Sequence, residues 1–60
     1  MFTFTHNTRV ELVEFLKNIG VQDLSDRAVE SYANDIDDEG HLEVSGRYTE
    51  DGIPATHRFA

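Results

Sequence analysis

The hydrophobic period of this chain changes at Gly40. Before it, apolar residues recur at helical spacing; after it, they alternate. The two periods are not interchangeable, because helical spacing scatters its apolar residues across both faces of a strand. The chain must therefore build helices first and a hairpin second. Val10, Leu12, Val13, Phe15, Leu16 and Ile19 form a broad apolar face, and Gly20 is a natural stop. Asn7 or Thr8 is expected to open this helix, since Thr8-Arg9-Val10-Glu11 has the spacing of a capping box. Val21 and Leu24 pack the turn. Ser25 or Asp23 caps a second helix, with Asp26 favourable at its positive end. Ala28, Val29, Tyr32, Ala33 and Ile36 supply its buried stripe, and Asp37 to Gly40 end it.

Beyond Gly40, Leu42, Val44 and Tyr48 are expected on one face and Glu43, Ser45 and Arg47 on the other. Glu50-Asp51-Gly52 signals a hairpin turn, and Ile53 to Phe59 return. Pro54 places the return strand at a sheet edge or near its own start. Phe2 and Phe4 alternate with Thr3 and Thr5, which reads as a short leading strand. The expected architecture is a single α+β domain over residues 1–60, ordered β-α-α-β-β, with two helices packed on a short antiparallel sheet. At 60 residues the core is one small cluster. A catalytic cleft with its own supporting shell is hard to fit beside it.

Charge narrows the partners. The net charge is −7, and its distribution is uneven. Residues 1–22 balance Glu11 and Glu14 against Arg9 and Lys17. Residues 23–51 set ten acids against Arg27 and Arg47, a net of −8, and residues 52–60 add only Arg58. Such a chain repels nucleic acid and anionic membranes as direct partners. With no cysteine there is neither a disulfide framework nor a zinc finger. No apolar run approaches the ~20 residues of a membrane span. The start Met-Phe-Thr-Phe-Thr-His lacks the basic and apolar regions of a signal peptide, so the chain reads as a complete small cytoplasmic protein.

The local motifs weigh little against this. His6, His41 and His57 fall at no metal-ligand spacing, and no serine sits in a nucleophile elbow. No enzymatic activity, cofactor or resident metal is expected. Two helices and a hairpin outline a winged helix, but the second helix would present Asp26, Glu30 and Asp35 to the phosphates. Asp35-Ile36-Asp37-Asp38-Glu39-Gly40-His41-Leu42-Glu43 resembles an EF-hand calcium loop, with acids at positions 1, 3, 5 and 9 and Gly at 6. Position 12 is Gly46, where that family has a bidentate Glu. A calcium module using Asp35, Asp37 and Glu39 is the alternative reading. A third is a structural or regulatory homodimer, paired through the Ile53–Phe59 edge or an exposed helix face.

The main expectation is a binding module. Carboxylates on a small rigid body imitate the phosphates of nucleic acid and attract basic grooves. The candidate partner-binding residues are Asp26, Glu30, Asp35, Asp37, Asp38, Glu39 and Glu43, with Tyr48 as an aromatic anchor. In length, in the acidic stretch from Asp23 to Asp51 and in the hairpin Leu42–Pro54, the chain resembles small acidic bacteriophage-encoded inhibitors of host defence, anti-CRISPR proteins among them. That resemblance is global and assigns no individual residue. It implies stoichiometric inhibition of a nucleic-acid-binding host complex by occupation of its basic groove, inside the host cytoplasm.

Overall fold

Helix α1 spans His6–Asn18 in the computed structural model, which describes residues 1–59. Its N-cap is Thr5, three residues earlier than the capping box suggests: the Thr5 hydroxyl accepts from the Thr8 N–H at 3.3 Å. Thr8 is instead buried inside the first turn, where its hydroxyl lies 3.0 Å from that of Thr5. The helix ends as the sequence implies. Gly20 takes a φ of 87°, its N–H reaches the Lys17 carbonyl, and the Val21 N–H reaches the Leu16 carbonyl. This is the paired bonding of a Schellman stop, and the accompanying apolar contact joins buried Val21 and Leu16.

Thr8, Leu12 and Leu16 form the buried stripe of α1. Val10 does not belong to it and is 51% exposed. At about 100° per residue it points some 200° away from Leu12, onto the far side. Helix α2, Asp26–Asn34, is capped by Ser25, whose hydroxyl accepts from the Ala28 N–H. The Asp23 carboxylate in turn accepts from the Ser25 N–H at 3.1 Å. Val29 is fully buried, while Tyr32, Ala33 and Ile36 pack beside the core.

Strands β1, His41–Tyr48, and β2, Pro54–Arg58, pair antiparallel into a two-stranded sheet. Leu42, Val44, Ala55 and Phe59 turn inward to meet Leu12, Leu16, Val21 and Val29. The α+β class stands, with two helices on a short antiparallel sheet. The leading segment does not extend that sheet. It is tied down by the Phe2 N–H, which donates to the Asp38 carbonyl at 2.7 Å, and by the Phe2 ring against Phe59. Pro54 is the first residue of its strand, where its missing N–H costs the ladder nothing. No helix among the described residues is long and apolar enough to cross a membrane.

The hairpin departs from simple alternation. His41↔Arg58, Leu42↔His57 and Glu43↔Thr56 share one register, but Tyr48 faces Pro54. Val44 to Arg47 thus stand opposite Ala55 alone, in a wide bulge containing Gly46 at a φ of 77°. The bulge carries Tyr48 away from the face of Leu42 and Val44 and leaves it 63% exposed. It also lets Arg47 reach the Gly20 carbonyl at 3.4 Å, a favourable place for a cation beside the C-terminus of α1.

His57 joins the hairpin to α1. Its Nε2–H donates to the Glu11 carboxylate at 2.6 Å, its ring stacks on Phe15 at 5.0 Å, and Phe59 meets it edge-on at 4.6 Å. This hydrogen bond is partly exposed and contributes under about 1 kcal/mol; the ring contacts contribute the larger share. His57→Ala should therefore lower stability by about 1–2 kcal/mol, and Glu11→Ala by less. Urea melts of both variants and of the double variant check this. Equal losses from the two single substitutions would mean that the ring contributes nothing.

Candidate functional site

The acidic surface begins on α2. Asp26 and Glu30 lie one turn apart and so share a face, with Arg27, Ser31 and Asn34 beside them in solvent. Asp26 is not free: its carboxylate meets the Arg9 guanidinium of α1 at 2.7 Å. Asp35 is the C-cap of α2, exposed, with no side-chain partner among the described residues. The chain then turns through Asp37, Asp38 and Glu39 into β1. Glu43 follows on the solvent face of the sheet, directly opposite Thr56.

Asp37 holds that turn together. One carboxylate oxygen accepts from the backbone N–H of His41 at 2.9 Å and from that of Glu39 at 3.0 Å. The Asp37 N–H donates to the His41 carbonyl, and the Gly40 N–H to the Asp37 carbonyl. The His41 N–H foremost holds the Asp37 carboxyl below the usual carboxylate range; desolvation opposes it, and the Glu39 N–H and the charges of His41 and Arg58 add to the lowering. A depressed carboxyl stabilises the fold above its unfolded pKa, and that contribution disappears as pH falls through the folded value. Asp37→Ala should accordingly lower the melting temperature at neutral pH. The gap to wild type should narrow as the solution is acidified below the ordinary carboxylate range. Thermal melts across that range measure it, and a gap independent of pH would contradict the assignment.

The calcium loop does not assemble from these residues. The position-3 carboxylate, Asp37, is turned onto backbone N–H groups, and Glu39 lies 3.9 Å from the Arg58 guanidinium. Among the described residues no three acidic or histidine side chains converge on one point. The histidines are separated too. His41 pairs across the hairpin with Arg58, and His57 with Leu42, so the two rings sit on opposite faces of the sheet. The described residues enclose no cavity.

The predicted set thus divides. Asp26, Asp37 and Glu39 face internal partners, whereas Glu30, Asp35, Asp38 and Glu43 make no ion pair among the described residues. Tyr48 is exposed, but it sits at the other end of β1 from the Asp37 turn, up to about 23 Å away at ~3.3 Å per residue. Its neighbours are Ile53, 58% exposed, and the turn acids Glu50 and Asp51. Ile53 is absent from the sequence-derived set, although its place directly after the turn signal points to the hairpin tip. Comparison with family models, curated proteins and solved structures finds no match to this chain.

Proposed function

We propose that the protein is a non-enzymatic binding module whose acidic face occupies the basic groove of a nucleic-acid-binding protein or complex. The observation that carries this reading is that Glu30, Asp35, Asp38 and Glu43, which follow one another from α2 through the turn into β1, make no ion pair among the described residues. Carboxylates without internal partners keep their full field for an approaching cation, and long-range attraction of this kind raises association rates. Their mounting on a capped helix and a braced turn means that little backbone freedom remains to be lost on binding. The mode is the one that resemblance to phage-encoded inhibitors of host defence implies: one copy per groove, displacing nucleic acid without chemistry.

Affinity capture on the immobilised chain, followed by mass spectrometry, tests this. The expected captures are basic nucleic-acid-binding proteins that elute as salt is raised. Adding the free chain to a captured protein at equal concentration should then abolish its binding to nucleic acid. A partner that stays bound at high salt, or still binds nucleic acid normally in the complex, would overturn the proposal.

A further inference from the structure

The two edges of the hairpin differ. The Phe59 N–H donates to the Gly40 carbonyl at 2.8 Å, which makes 40 and 59 a hydrogen-bonded pair and sets the alternation along the ladder. Leu42 and His57 are then the next bonded pair. His41 and Glu43 on β1, and Thr56 and Arg58 on β2, direct their N–H and C=O groups outward. On the β1 side this edge is protected. Asp37 satisfies both backbone groups of His41, the bulge follows, and Glu43, Glu50 and Asp51 make the flank acidic. On the β2 side, Thr56 and Arg58 have no outward backbone partner among the described residues. The stretch from Gly52 to Ala60 contains no acid.

From this pattern we infer that the β2 edge pairs with the β2 edge of a second copy, antiparallel, with the two-fold axis at Thr56. The edge is self-complementary in that register. The Thr56 N–H of each copy donates to the Thr56 carbonyl of the other, and each Arg58 N–H to the Pro54 carbonyl opposite. These four bonds use every outward N–H the two edges possess, because Pro54 has none. Pro54 meets the second copy only as an acceptor, so its ring removes no bond from the inner pairs. On the helix-facing side, small Ala55 falls opposite His57 of the other copy. The result is a four-stranded sheet, where two strands alone are marginal. Charge permits the same edge: two copies at −7 each repel, and the β2 strand carries no acid of its own, with Glu11 and Glu39 beside it facing His57 and Arg58.

The test uses the full chain. Sedimentation equilibrium should show a mass rising with concentration toward twice the 6.8 kDa of one copy. Over the same range the amides of Thr56 and Arg58 should pass from fast to slow hydrogen exchange, while that of Glu43 stays fast. Thr56→Pro removes a central donor and should return the mass to one copy. Since this change also strains the strand, Thr56→Cys provides an independent reading. The chain has no cysteine of its own, and directly opposed residues of a bonded pair lie about 5.5 Å apart between Cα atoms, within disulfide reach. It should cross-link on mild oxidation, and Glu43→Cys should not. A single-copy mass at every concentration without Thr56→Cys cross-linking overturns the inference. So does a dimer in which the Thr56 and Arg58 amides still exchange fast.

Discussion

Gly40→Ala is expected to lower stability by about 2–4 kcal/mol, the largest loss from any single small substitution outside the core. Two costs act together. The residue has a φ of 83°, a region that charges an L side chain roughly 1–2 kcal/mol. The added Cβ would also lie 2.8 Å from a ring carbon of Phe2 and 3.0 Å from the Phe59 carbonyl oxygen. The ring is half-buried against Phe59 and must shift, and the carbonyl belongs to backbone tied into the ladder by the Phe59–Gly40 hydrogen bond. A domain of this length has only about 3–9 kcal/mol in total, so much of the population would unfold. Gly46→Ala is the internal control. Its φ is 77°, yet its Cβ would meet nothing within 4 Å, so it carries the backbone cost alone. Urea melts of both variants separate the terms. Equal losses at the two glycines would refute the packing contribution, whereas partial recovery in Gly40→Ala/Phe2→Ala would assign a share of it to the ring.

That glycine is also where the sequence is most informative. The change of period there separates helices from hairpin, and local rules place the Gly20 stop, the Ser25 cap and the turn before Ile53. These features depend on a few adjacent residues, and nothing distant competes with them. The cap of α1 falls on Thr5 rather than on Asn7 or Thr8, and tertiary burial decides it: Thr8 is inside the fold and Thr5 is not. The bulge at Val44–Arg47 was hidden for a different reason. Leu42, Val44 and Tyr48 keep perfect alternation in sequence, and only Gly46 hints that the register slips.

The site was legible as charge but not as geometry. Counting along the chain isolates the acidic segment. It does not say which carboxylates are free, because that depends on where backbone N–H groups and distant arginines lie. Asp37 and Asp38 are neighbours of identical type. One binds two N–H groups of the turn, and the other stands in solvent. Arg9 and Asp26 meet across 17 positions, a pairing no local pattern contains. Tyr48 is exposed, as an aromatic anchor must be, but the register sets it at the hairpin tip with Ile53 rather than beside the acids of the turn.

Reversing the four unpaired acids should reduce association with the basic partner by roughly 100-fold at low salt, within the 10–1,000-fold range of electrostatic steering. In Glu30→Lys/Asp35→Lys/Asp38→Lys/Glu43→Lys each change shifts the charge by two, so the net moves from −7 to +1. The fold should tolerate it, since these side chains are exposed and bond to nothing among the described residues. At Asp35 the lysine even replaces an acid at the negative end of α2. Stopped-flow association across a salt series gives the decisive measurement. Wild-type rates should fall steeply with salt and converge on the variant near 1 M, where the screening length is about 3 Å. Self-association through β2 must respond in the opposite sense. Salt screens the repulsion between two −7 copies and so strengthens that contact, and the near-neutral variant should lose the dependence. The two proposed interfaces should thus show salt slopes of opposite sign within one molecule. Partner association that keeps its rate and slope in the four-fold variant would remove the acidic face from the binding site, and would leave the β2 edge untouched by that result.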